Sequence, residues 1–392
     1  MPSQTNTSSK IIPLESMRGL AAFMVFLFHF ILGFMPQRHG QESATAIPGG
    51  NLMETPFFFL INGHAAVTFF FVLSGFVLSY SYFRKGSSAG LVGSIIKRWP
   101  RLFPIALIST IISWLLIKYG LYSYSETALI TNSQWMARFA HASGDFINST
   151  FTDAFMQGFF FTFFRGDENL NTSLWTMHYE FIGSLMVFAL IPILNGLRGR
   201  LALIVFMILM PATFYISVYM CAFVMGCFLS YYRCQITNYK SILPLNRFIL
   251  FVSLLFVIMA FGYTEPAKGF YSFMQMSDAG MMRSIRILIH CLAAVILIEV
   301  ILNYETVYRL FNSSAGRFLG RCSFALYVIH VPLIFSFSCY VFLSLIDLMG
   351  YRLTVVFTFI VSTILLFIVS WVMTILDESW CRYINRNVKK MI

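Results

Sequence analysis

Apolar stretches of about twenty residues, the length of α-helix that crosses the hydrocarbon core of a bilayer, recur along almost the whole chain and leave it few architectures. They fall at 14–36, 64–83, 103–119, 174–194, 201–215, 216–232, 245–264, 283–303, 319–343 and 353–376. In lipid each backbone N–H and C=O has to be satisfied within the chain, so runs of this length fold as helices. Hydrophobic residues fill 58% of the 392 positions, charged residues only 11%, and phenylalanine alone accounts for 44, which is far too apolar for a water-soluble domain. The expected fold is all-α, a polytopic membrane helix bundle with about ten transmembrane helices. The fifth and sixth are separated near Tyr215 because Leu201 to Tyr232 is too long for one span.

Lysine and arginine set the orientation, since they concentrate in cytoplasmic segments. With the N-terminus inside, the inner segments hold Lys10, Arg84, Lys85, Lys97, Arg98, Arg101, Arg198, Arg200, Arg233, Lys240, Arg309, Arg317 and Arg321, while Glu42, Glu126, Asp145, Asp153, Glu168 and Glu265 fall outside. Both termini are then cytoplasmic, and residues 1–392 form a single domain in the inner (plasma) membrane, with a polar N-terminal tail (1–13) and a basic C-terminal tail (377–392). The same bias accounts for the net charge of +11, so the bilayer, and no nucleic acid, is the expected partner. The first apolar run carries Arg18 and His29 without a small-residue cleavage site and reads as a span rather than a cleaved signal. The seven cysteines have spacings that suit neither a zinc knuckle nor a disulfide framework, and no metal is expected. The longest connection, Gly120 to Ser173, contains a Phe-rich stretch, Phe155 to Phe164, that reads as an interfacial or re-entrant helix.

An ionisable side chain within a span costs roughly 3 kcal/mol or more, so such residues point to function. Eleven residues of helix turn through about 1100° and rise about 16 Å, which puts Arg18 and His29 on one face. Thr176, Glu180 and Ser184 make a stripe on the fourth span, and Glu180, about two turns from its outer end, reaches a depth similar to that of His29. A carboxylate and an imidazole at one depth suggest a base and its orienter. Gly320, Ser323, Tyr327 and His330 form another stripe, and Ser74 lies mid-span. Arg98 and Arg101 have the spacing to close on one phosphate. Arg283, Arg286 and His290 share a face near the outer surface, where they either recognise an anionic acceptor or snorkel to the interface; Glu299 has no assigned role.

Taken together, LESMRGLAAFMVFLFHF (Leu14 to Phe30), FFFVLSGF (Phe69 to Phe76), RWPRLFP (Arg98 to Pro104), SLWTMHYEF (Ser173 to Phe181) and GRCSFALYVIHVP (Gly320 to Pro332) resemble, in order, the signatures of acyltransferase family 3, the multi-span O-acyltransferases. Pro100 and Met177 are mild departures, and Asp377 to Trp380 lack the proline of the family's usual Glu-x-Pro tail. No appended esterase-like domain is expected. The resemblance implies transfer of an acyl group, most often acetyl, from cytoplasmic acyl-CoA as co-substrate to a hydroxyl of a glycan such as O-antigen, exopolysaccharide or a lipid-linked sugar. It casts His29 and Glu180 as catalytic and Arg18, Arg98 and Arg101 as donor-binding. Ser74, Trp175, Tyr327 and His330 are expected to line the substrate pocket. The competing readings are a transporter or flippase, which also buries ionisable groups, and an acyltransferase for a small-molecule acceptor.

Overall fold

The computed structural model describes residues 11–41, 51–142, 148–197, 199–236 and 246–391, and every regular element among them is helical. In chain order these are α1 (Ile12–Phe34), α2 (Gly63–Lys85), α3 (Leu91–Lys118), α4 (Tyr124–Thr131), α5 (Gln134–Ala142), α6 (Phe151–Met156), α7 (Thr162–Phe164) and α8 (Trp175–Gly196). They continue with α9 (Arg200–Ile216), α10 (Val218–Tyr231), α11 (Arg247–Gly262), α12 (Ala279–Asn303), α13 (Glu305–Phe311), α14 (Ser314–Leu333) and α15 (Cys339–Met391). Among the described residues six helical runs are long and apolar enough to cross a membrane, and α9 and α11 are apolar but shorter. The chain is thus an all-α, multi-pass membrane protein, with less even helices than the ten expected.

Two boundaries show why. The expected spans 319–343 and 353–376 belong to one helical run, Ser314–Val388, bent where Gly350 takes φ 68 and ψ 163. Positive φ is open to glycine and strained for other residues. Between α9 and α10 the break falls at Ser217, whose φ of −163° and ψ of 120° are extended. Nor does the C-terminal segment behave as a loose tail. It continues α15, where the Arg321 guanidinium forks onto Glu378 through two 2.9 Å hydrogen bonds and Trp380 Nε1 donates to the Pro100 carbonyl at 2.7 Å. Of the charges used for orientation, Lys10, Glu42, Asp145, Arg198 and Lys240 lie outside the described residues, as do residues 1–10 of the N-terminal tail.

The pairing that positions the site is α1 on α14. Ser16 lies against Gly316, Gly19 against Leu319 and Gly320, and His29 against His330, so the two helices run parallel in constant register. Small residues permit this approach. A Cβ on Gly19 would come within 2.3 Å of the Leu319 backbone. The same device joins α2 to α10, where a Cβ on Gly75 would meet the Phe223 carbonyl oxygen at 2.1 Å.

The Phe-rich segment dives into the bundle beside α3. Trp114 Nε1 donates to Ser149, Thr110 Oγ1 to Ala154 and Trp99 Nε1 to Phe159, each to a carbonyl, at 2.9, 2.9 and 3.0 Å. The partners move from Trp114 back to Trp99 while the segment advances, a descent of about 22 Å along α3. Consequently α8 starts inside the bundle, with Trp175 packed on Phe71 at 6.4 Å. Phe71 lies about 12 Å along α2 from Gly63.

Candidate active site

His29 lies near the C-terminal end of α1, half-buried, with Trp135 at 5.0 Å and Phe28 edge-on at 5.1 Å. Its Nδ1 stands 3.0 Å from the Val25 carbonyl oxygen and 3.0 Å from Nε2 of the fully buried His330. His330 Nδ1 in turn meets the Tyr327 carbonyl. A carbonyl only accepts, so Nδ1 of His330 carries the proton and its Nε2 offers a lone pair. His29 Nδ1–H donates to that lone pair and to Val25. This tautomer assignment, which follows from the partners, leaves His29 Nε2 as an unprotonated base. Tyr327 adds a second tie: its hydroxyl accepts from Thr176 Oγ1 at 3.0 Å, and its ring lies 5.7 Å from that of His330.

Glu180 is elsewhere. Its carboxylate ion-pairs with Arg98 and accepts from Ser74 Oγ at 2.9 and 3.0 Å, while Arg98 Nε donates to Ser184 Oγ at 2.7 Å. The Phe28 ring beside His29 packs on His64 at 5.2 Å, and the rise from His64 to Ser74 along α2 is about 15 Å. The expected support of His29 by Glu180 is therefore corrected: Glu180 sits far below His29 because α8 begins inside the bundle. Among the described contacts the side chain that meets His29 Nδ1 is that of His330.

The three arginines also separate. Arg98 is buried and matched to Glu180. Arg18 donates from Nε to Ser323 Oγ at 2.9 Å and from a terminal nitrogen to the Gly320 carbonyl at 3.1 Å, pairs with Glu15 at 2.7 Å, and keeps 36% of its side chain exposed. Arg101 is exposed. Of the residues expected to line a pocket, Ser74 holds Glu180 and His330 holds His29. Trp175 does line a cavity, of about 590 Å³, together with Arg165, Glu168, His178, Tyr179 and Tyr219. Thr176, next to Trp175 in the chain, donates to the hydroxyl of Tyr327, whose ring lies 5.7 Å from that of His330.

Burial pushes the Glu168 carboxyl up to about 7. Between the unfolded value of about 4.3 and that point the folded protein holds the proton more tightly, so this group's stabilisation is full at low pH and is lost as pH rises through 7. Glu168→Gln should accordingly flatten the fall in melting temperature between pH 5 and 8. Identical pH profiles for parent and variant would mean that Glu168 is ordinarily solvated.

Sequence reasoning placed His330 in the pocket but missed its contact with His29. The signal was there: Gly320 to His330 repeats the separation of Arg18 and His29 to within one residue, on a helix with the same small-residue stripe. His64, Glu168 and Tyr219 carried no such signal.

The multi-pass bundle thus holds an imidazole oriented by its hydrogen bonds, with a partly open guanidinium about 16 Å away on the same helix. The acyltransferase-domain family matches residues 12–375, and the chain belongs to that family; it is a membrane acyltransferase. No curated protein and no solved structure matches it.

Proposed function

We propose that this protein transfers an acyl group, most simply acetyl, from cytoplasmic acyl-CoA to a hydroxyl of a glycan or lipid-linked sugar. The observation that carries this reading is the His330–His29 pair, which leaves the His29 Nε2 lone pair at a half-buried edge. In this scheme Nε2 removes the proton of the acceptor hydroxyl as its oxygen attacks the thioester carbonyl. The C–S bond breaks, and the CoA thiolate leaves with the proton returned from the imidazolium, giving an ester and free CoA. Both termini are taken as cytoplasmic in an inner membrane crossed about ten times, which places Arg18 toward the cytoplasm and His29 toward the opposite face. The extended pantetheine arm then spans the interval of about 16 Å between them. Arg18 and Arg101, whose guanidinium groups remain accessible, hold the donor phosphates; Arg98 positions α3 against α8 through Glu180.

Titration of the purified protein in nanodiscs with acetyl-CoA tests this arrangement. Arg18→Ala should weaken binding about tenfold or more, and Arg18→Lys should restore part of it because an ammonium keeps the charge without the fork. Undiminished affinity in both Arg18→Ala and Arg101→Ala would assign these residues to topology and helix packing.

A further inference from the structure

At the His29 end of the bundle lies a second set of charged groups that the transfer chemistry above does not use. Arg283 and Arg286, one turn apart on α12, have opposite fates: Arg283 is 68% exposed and snorkels, whereas the Arg286 side chain is only 5% exposed. Both face Glu265, at 3.1 and 3.5 Å, so the group carries one net positive charge. Arg286 Nε, the second Glu265 carboxylate oxygen and the Tyr263 hydroxyl are buried and have no hydrogen-bond partner among the described residues. Burying an arginine in a membrane protein with its Nε unpaired and Glu265 as its ion-pair partner at 3.5 Å is expensive, and helix packing alone gives no return for it.

The surroundings indicate what would satisfy those donors. Arg286, Arg283 and Glu265 lie within electrostatic reach of Tyr219, which lines the cavity shared with Trp175 and Tyr179. Arg286 likewise reaches His64. The His64 ring is exposed although it stands against Phe28, and its nitrogens have no hydrogen-bond partner among the described residues. An aromatic wall suits a sugar ring, and a half-paired buried guanidinium suits a carboxylate or phosphate on it. We propose that Arg286 anchors an anionic group of the acceptor, carboxylate or phosphate, beside the Trp175–Tyr179–Tyr219 wall, with the free Glu265 oxygen accepting from a ligand hydroxyl. The proposal rests on the reading of the protein as a glycan acyltransferase and adds that its acceptor is acidic.

The test is equilibrium binding to the whole protein in nanodiscs of three probes: methyl glucoside, methyl glucuronide and glucose 1-phosphate. The parent protein should bind at least one anionic probe about tenfold or more tightly than the neutral one, and the tighter of the two names the source of the charge. Arg286→Gln should remove that preference and leave the neutral probe and acetyl-CoA unaffected. Glu265→Gln should tighten anion binding by raising the local positive charge, a gain that a structural pin would not give. If Arg286→Gln fails to fold, Glu265→Gln decides, and no tightening overturns the proposal. Equal binding of neutral and anionic probes by the parent also overturns it while leaving acyl transfer intact. Loss of acetyl-CoA binding by the parent, with anion preference retained, would instead remove the donor assignment and keep the anion site.

Discussion

A His29→Ala protein is expected to insert and accumulate like its parent while losing transfer activity by about 100-fold or more, the usual contribution of a positioned general base. The ring is half-buried at the end of α1, so its removal opens little core, and the loss should appear in kcat rather than in acetyl-CoA affinity. His330 sharpens the experiment. Leucine at that position leaves the Nδ1–H of His29 with only the Val25 carbonyl and frees the ring to adopt the other tautomer, so kcat should fall with KM nearly unchanged. Glutamine offers a carbonyl oxygen where Nε2 of His330 stood and should restore part of the rate. Near-parental turnover in a well-expressed His29→Ala protein would sink the assignment. A single turnover with labelled acetyl-CoA, quenched early, tells base from nucleophile: label on the protein would mean that Nε2 itself carries the acyl group.

The helices were legible because lipid tolerates no other backbone, and the stripe Arg18 to His29 was legible because eleven residues make nearly whole turns. Even the division of Leu201 to Tyr232 fell within two residues of Ser217. Depth was not legible. Counting from the start of the fourth span put Glu180 level with His29, but that start is set by the segment around Phe151 to Phe164, which descends along α3 and carries Trp175 down to Phe71. No local pattern in SLWTMHYEF encodes how far the preceding segment has dropped. Partner choice was hidden for a related reason. Arg98 and Arg101 look alike in sequence, and only the approach of α8 decides that Arg98 meets Glu180 while Arg101 stays exposed. Gly350, by contrast, marks a bend that composition had signalled only as a gap between two apolar runs.

The Arg98–Glu180 pair should have the largest effect on stability. Both side chains are largely shielded, at 10% and 17% exposure, and Ser74 and Ser184 complete their hydrogen bonding from α2 and from α8 itself. Removing one partner of such a pair leaves an uncompensated charge in a medium that cannot solvate it, a loss of about 3–5 kcal/mol. Glu180→Ala should therefore lower the melting temperature of the protein in nanodiscs sharply, and Glu180→Gln less so, because the amide oxygen still accepts from Ser74 and Arg98. Arg98→Met combined with Glu180→Met removes both charges and should recover most of the stability, since lipid-like side chains of similar volume replace a pair whose desolvation offsets much of its attraction. The recovered double variant then separates structure from donor binding. Acetyl-CoA affinity close to that of the parent would make Arg98 a positioning residue that fixes α3 against α8. A stable double variant that no longer binds acetyl-CoA would return Arg98 to the donor site, and so would an Arg98→Ala protein that melts like the parent but has lost the donor.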